Sequence, residues 1–424
     1  MLRYSRYRRS NGKELFQLLD EHHFPGINRT LFICSLQAGD TPDNTMEKKV
    51  YDLLHFLDMF SLMNVDVDEL ILSGNLPSKQ HINLYVQASR FKLEDAKKFI
   101  SSRSSNSTNV IKKPLTELQF QKLVYGKSDE LRGVEPDTVN ARLRIAIQYF
   151  TFIFSRHVKR PSSESKEELS EIIGTLENAK RRKSSAGDVS RVLDKEITDH
   201  QFEQLISIIR PDHPQNPFKS SKQRNFLIVQ VALAAGLRRG AMAKIKIGDL
   251  DFTGNCDTLY VKRTPNDPSD PRKRRPQQKT REHQASLLPE LMLDLKAYYD
   301  YTRARFPESK KHEFIFVAEK GKRGSYEKGD PLSLNSYNRI MEKLEEVLGF
   351  ELHPHKLRYH WNKQLDAWAK TERVSDAVKE NIRKEAMGWA PNSRMASLYN
   401  RLQIVKLMNE SSVQHQKEMY DAGK

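Results

Sequence analysis

Four groupings in the C-terminal half of the chain contain residue types that could do chemistry. Arg238 lies in Gly236-Leu237-Arg238-Arg239-Gly240, just past an apolar run, and Lys279 lies in the basic stretch QQKTRE. His355 and Arg358 form an H-x-x-R pair, Trp389 follows Gly388 in GWAP, and Tyr399 sits between Arg394 and Arg401. On a helix, positions i and i+3 share a face, so His355 and Arg358 can present an imidazole and a guanidinium to one phosphate. A phenol titrates near ~10, so Tyr399 attacks usefully only with a base or with cations that favour the phenolate. Taken singly, each has an ordinary structural reading: a helix-end arginine favoured by the dipole, a solvated lysine, a structural histidine, a partly buried aromatic.

Signatures of other chemistries do not occur. The sequence has no P-loop, no GxGxxG after a strand, no HExxH and no GxSxG. His353-Pro354-His355 lacks a clear third ligand, so no metal and no cofactor is expected.

Composition narrows the partner. The 424 residues hold 71 Lys and Arg against 55 Asp and Glu, a formal charge of +16. Each cation placed on a phosphate releases condensed counterions, so nucleic acid is the leading partner, with an acidic membrane surface behind it. No stretch approaches the roughly 18 apolar residues that span a bilayer, and membrane insertion is not expected. The basic start MLRYSRYRRSNGKELF has no apolar h-region and is not a secretory signal. It suits a mitochondrial presequence or a DNA-contacting arm. Cys34 and Cys256, both in apolar local contexts, build neither a disulfide scaffold nor a zinc site. A soluble, cytoplasmic, nucleoid-associated protein is expected.

Elements must position these groups, and the chain divides around a polar stretch from Arg160 to about Ser190, with a boundary expected near Val192. The first segment reads as helical. Met46, Val50, Leu53, Leu54 and Leu57 fall at helical spacing, as do Val139, Leu143, Ala146, Phe150, Ile153 and Phe154 on a helix over Asp137–His157. Arg142, Arg144 and Arg156 are expected elsewhere on that helix's surface. A polar loop is expected over Ser101–Asn109, and LSEIIGTLENA in the linker can form one short helix. The second segment opens with the capping box Thr198-Asp199-His200-Gln201. A helix over Asn225–Ala235 then ends at Gly236, which suits a left-handed cap. Strands are expected over Asp257–Lys262 and Gln284–Leu288, joined by TPNDPSDPRKRRPQQKTRE as a long, mobile basic hairpin tip. The fold class is therefore mainly α with one small β-sheet.

The order Arg, hairpin Lys, His-x-x-Arg, Gly-Trp, Tyr after a helical segment resembles the tyrosine recombinase (phage integrase) family. The carrying segments are AAGLRRGAMAKIKIGDLDF, HPHKLRYHW and MGWAPNSRMASLYNR, and the resemblance spans about Ile197–Leu407. It implies a helical core-binding domain followed by an α+β catalytic domain, together forming a clamp on DNA. The implied division is a basic extension at 1–29, a core-binding domain at 30–160, a linker at 161–191, a catalytic domain at 192–407 and a tail at 408–424. By resemblance Arg238 and Arg358 clamp the scissile phosphate, and Lys279 protonates the departing 5′-oxygen. His355 is the acid/base partner, Trp389 fills a position held by His or Trp, and Tyr399 is the nucleophile. The implied activity is site-specific cutting and rejoining of double-stranded DNA through a 3′-phosphotyrosine, without metal or ATP, by a homo-tetramer on synapsed DNA. Such a tail docks on a neighbouring subunit in the family, and Ile404, Val405 and Leu407 give it a modest apolar stripe here.

Several positions depart from the family pattern. Ala241 stands where an acidic residue is common, Tyr359 where His is common, and Trp389 to Tyr399 is about one residue longer than usual. Arg239 and Lys262 are the alternatives to Arg238 and Lys279. The competing functions are a catalytically inactive DNA-binding protein of this fold and a type IB topoisomerase-like relaxing enzyme.

Overall fold

The computed structural model describes residues 2–9, 14–37, 41–104, 132–181, 196–253, 257–322, 326–393, 395, 404, 408 and 411–418. The chain forms two compact units, Met1–Ser184 and Ser185–Lys424. Helices predominate, with one small sheet in each unit.

In the first unit, strands β1 (Arg3–Arg8) and β2 (Glu14–Leu19) pair antiparallel. Helices α1 (Ile27–Gln37), α2 (Asp43–Leu62), α3 (Val67–Leu72), α4 (Lys79–Ala88), α5 (Leu93–Ser104), α6 (Pro136–His157) and α7 (Ser163–Asn178) follow. The periodic residues of α2 and α6 face one core, as their spacing requires: Met46, Val50, Leu53, Val139, Leu143, Ala146, Phe150 and Ile153 are fully buried.

Three features of this unit differ from the sequence reading. The segment 1–29 is more than a basic extension, because its hairpin supplies Phe16 and Leu18 to the core, and Arg6 and Arg8 both pair with the buried Glu14. The helix allowed for LSEIIGTLENA in the expected linker does form, as α7, but it packs into this unit, with Ile172 and Leu176 joining the same core. Arg142 is not on the surface of α6: it is buried and donates to the carbonyls of Ser89 (2.9 Å) and Phe91 (2.6 Å). Those carbonyls lie beyond the end of α4, and Arg142 Nη1 donates to both at once. Cys34, despite apolar sequence neighbours, is exposed. Cys256, Val192 and most of the expected loop over 101–109 lie outside the described residues.

The second unit begins with α8 (Asp199–Ile209), and both bonds of the Thr198–Gln201 capping box are made. Helix α9 (Lys222–Ala235) is mostly buried and ends at Gly236 with φ +56°. After the single turn α10 (Arg239–Met242), strands β3 (Leu250–Asp251), β4 (Thr258–Val261) and β5 (His283–Ser286) form an antiparallel sheet in that order. Helices α11 (Pro289–Ala297), α12 (Leu334–Leu348), α13 (Pro354–Thr371) and α14 (Asp376–Ala386) complete the unit. Leu357 of α13 reaches the main core, and Trp361 Nε1 donates to the Ala234 carbonyl at the end of α9. The end of α9, just before Arg238, and α13, which carries His355 and Arg358, are thereby held together.

Candidate active site

The site is built where α9 ends, because Gly236 lets a buried helix turn sharply. A side chain there is disfavoured twice: φ is left-handed, and a Cβ would lie 2.6 Å from Met387 Cε and 3.0 Å from Trp361 Cγ, so both neighbours would have to give way. Two residues on, Arg238 is the N-cap of α10 in extended conformation and is half-buried. Arg239 turns away and donates to Asn338 Oδ1 at 2.6 Å. Ala241 is buried in the core, a position where a carboxylate would need a partner.

Arg358 is only 2 % exposed. Its Nη1 donates to the Gly236 carbonyl at 2.8 Å and its Nη2 to the Met387 carbonyl at 3.4 Å. The guanidinium carbon sits 5.5 Å from the centre of the Trp389 ring, a cation–π arrangement. Trp389 is itself 2 % exposed and packs with Tyr359 and Met387, with Trp361 and Met395 around them. The H-x-x-R arginine, the Gly-Trp box and the turn before Arg238 therefore meet.

His355 is exposed on the first turn of α13, 6.5 Å from the His353 ring and edge-on to Tyr359 at 5.1 Å. His353 is the N-cap of that helix, its Nδ1 accepting from the Lys356 backbone N–H at 3.2 Å.

The basic connection between β4 and β5 is packed rather than a mobile tip. Arg272 donates to the carbonyls of Leu332 (2.8 Å) and Ala243 (2.9 Å) and pairs with the buried Asp270. Arg275, 2 % exposed, donates to the Asn266 and Asp270 carbonyls. Lys246 pairs with Asp267 at 2.9 Å, and the buried Lys244 donates to the Thr264 carbonyl. The prolines leave carbonyls with no ladder to join, and inward-turned cations satisfy them. Lys262, the alternative to Lys279, pairs with Asp249 at 2.9 Å.

Lys279 is exposed between two anchor points of this connection. At one, the Gln277 carbonyl oxygen lies where a Cβ on Gly240 would be only 2.4 Å away. At the other, the Arg281 N–H donates to the Gly388 carbonyl at 2.7 Å, and Arg281 Nε and Nη2 donate to the Trp389 carbonyl at 2.9 and 2.5 Å.

Sequence reasoning missed Arg281 and His283. Arg281 is one cation among many, and composition gives no way to single it out. His283 opens β5, and its Nδ1 lies 3.1 Å from the Arg281 carbonyl, which can only accept, so Nδ1 carries the proton. Burial pushes this imidazole below its usual range, against the Arg281 carbonyl bond, and the charges of Arg358 and Arg238 push the same way as burial.

Tyr399, with Arg394 and Arg401, lies outside the described residues. Ile404 is exposed in the tail, and Val405 and Leu407 are outside the described residues. No helix among the described residues is long and apolar enough to cross a membrane.

Residues 195–403 match the model of the phage integrase family. No curated protein matches the chain. Among similar solved structures is the XerH site-specific recombinase bound to palindromic difH substrate. It is 14% identical over 91% of this chain and 93% of that one, with a TM-score of 0.49. The Tn1549 transposon integrase in complex with circular intermediate DNA is 14% identical over 63% and 75%, with a TM-score of 0.37. A lambda integrase tetramer bound to a Holliday junction is 14% identical over 92% and 96%, with a TM-score of 0.34.

Proposed function

We propose, from the premise that residues 195–403 are a phage integrase family domain, that the protein is a tyrosine site-specific recombinase acting on double-stranded DNA. The observation that carries this reading is the seating of Arg358. Buried, bonded to the turn before Arg238 and faced by Trp389, this guanidinium brings the H-x-x-R, Gly-Trp and first arginine segments to one place.

In this reading Arg238 and Arg358 meet the charge that gathers on the five-coordinate phosphorus. Guanidiniums fixed beforehand need no reorganisation as that charge develops. The Tyr399 oxygen bonds to phosphorus as its proton passes to His355. The bond from phosphorus to the 5′-oxygen breaks, and Lys279 supplies the proton that oxygen takes up. The product is a 3′-phosphotyrosine and a free 5′-hydroxyl. Attack by the 5′-hydroxyl of a second strand reverses these steps and frees the tyrosine, so the bond energy is conserved without ATP. The charge of +16 suits a DNA partner. A tetramer on synapsed DNA completes the reading, since exchange between two duplexes cuts four strands.

The test uses duplex DNA from the gene's own flanks, including nicked suicide substrates, with wild type and Tyr399→Phe. The expected result is a denaturation-resistant protein–DNA 3′ adduct with wild type and none with Tyr399→Phe. Occupancy of the flanks with no adduct overturns the enzyme reading in favour of an inactive DNA-binding protein. Relaxation of supercoils by monomers without strand exchange favours the topoisomerase-like one.

A further inference from the structure

Arg281 is tied through its backbone and through its guanidinium. Its N–H donates to the Gly388 carbonyl, its carbonyl accepts from His283 Nδ1, and its guanidinium donates to the Trp389 carbonyl through both Nε and Nη2. The same Nη2 reaches Glu385 Oε1 at 3.2 Å. Two of these acceptors, Gly388 and Trp389, lie just past the end of α14, where the helix dipole favours a cation. The fit leaves no slack: a Cβ on Gly388 would lie 2.6 Å from the Arg281 carbonyl oxygen and 2.5 Å from His283 Nδ1. These guanidinium bonds run to a backbone carbonyl and a carboxylate of the protein itself. Two residues earlier in the chain stands Lys279, exposed and without such ties, and beyond the Trp389 carbonyl stands the ring that faces Arg358.

We infer that Arg281 is a positioning residue for proton delivery: it fixes the backbone beside Lys279 against the Trp389 box, and so sets the lysine's place relative to Arg358. This rests on the recombinase reading, with Lys279 as the donor to the departing 5′-oxygen. Through Arg281, one backbone segment carries the acid and the adjoining segment packs the arginine that holds the phosphate. A lysine at a loop position without this tie would sample many placements, and proton transfer is effective only within hydrogen-bond reach.

The experiment separates proton delivery from every other step. Two nicked suicide substrates are made, identical except that the scissile bridging atom is the 5′-oxygen or a 5′-sulfur. A thiolate leaves without a proton, so the sulfur substrate has no need of the acid. Single-turnover adduct formation is measured for wild type, Arg281→Ala, Arg281→Lys, Lys279→Ala and Tyr399→Phe.

On the oxygen substrate, Arg281→Ala is expected to be slower than wild type by about 100-fold, in the direction of Lys279→Ala. Arg281→Lys is expected to recover little, because a single ammonium cannot reproduce the forked contact. On the sulfur substrate, both Arg281 variants and Lys279→Ala are expected within a few-fold of wild type. Equal slowing of both Arg281 variants on both substrates overturns the inference and leaves Arg281 a general structural residue. Wild-type rates on the oxygen substrate overturn it also. If sulfur fails to restore Lys279→Ala, the lysine is not the acid and the inference falls with it. Absence of a wild-type adduct on either substrate defeats the recombinase reading itself, a result distinct from the others.

Discussion

Arg358 donates to the carbonyl oxygen of Gly236 at 2.8 Å, across 122 positions of sequence, and this bond ties the second arginine of the site to the turn that presents the first. The bond ties α13 to the end of α9, so in the proposed reading the Arg358 guanidinium and the backbone turn that carries Arg238 are held together before DNA binds. Preorganised charge of this kind is where enzymes gain most.

Arg358→Lys is expected to lower single-turnover adduct formation by roughly 10²–10³-fold. Lysine keeps the charge but cannot bond the Gly236 and Met387 carbonyls together. Leaving one of them unpaired in the interior costs about 1–3 kcal/mol. Duplex binding measured by gel shift should change by only a few-fold, since many other cations contact phosphate. An unchanged adduct rate would contradict the clamp role.

Gly388→Ala is expected to destabilise the second unit by about 2 kcal/mol or more, from the left-handed φ of +60° and the close approach of His283 and Arg281. Gly248→Ala, with open space around it and no positive φ, should stay within about 0.5 kcal/mol of wild type. Thermal melts of the two variants check the contrast; equal melting temperatures would mean that the turn at Gly388 yields freely.

Trp389→Ala removes a buried ring from the face of Arg358 and is expected to cost roughly 3–5 kcal/mol. Trp389→His restores part of the packing and a polar edge, so its adduct rate should exceed that of Trp389→Ala. Denaturant titration and adduct rates together read this out. An alanine variant as stable as wild type would show that the cluster repacks.

Lys244 gives a pH dependence of definite sign. Burial pulls its ammonium down from 10.5 to about 8, against the attraction of Asp267 and Asp270. Between those values the unfolded chain binds more protons than the folded one, so stability rises with pH through that window, and the penalty is fully present below about pH 8. Denaturant midpoints taken from pH 7 to 10.5 should rise in wild type by more than in Lys244→Met. Parallel curves for the two proteins would remove Lys244 as the source.

Much of the frame was legible from spacing alone. The periodicities of α2 and α6, the capping box of α8 and the left-handed end of α9 at Gly236 are local properties, set by which side chains share a face and which residue tolerates φ +56°. The β4 and β5 strands fell within a residue or two of their expected spans. The ordered appearance of Arg238, Lys279, His355, Arg358 and Trp389 was likewise a property of the chain.

The tertiary structure alone decided where the charges point. Arg142, Arg272 and Arg275 look like surface cations in sequence, yet each is turned inward onto backbone carbonyls. Phe16 and Leu18 join a core because a hairpin brings them to α2, and nothing near them in sequence announces it. Arg281 and His283 acquire their place only when Gly388, more than a hundred residues away, presents a turn with no side chain. The physical reason is the same in each case. Helix and turn propensities depend on neighbours in the chain, whereas a buried polar group's partner depends on which distant carbonyl the fold leaves unsatisfied.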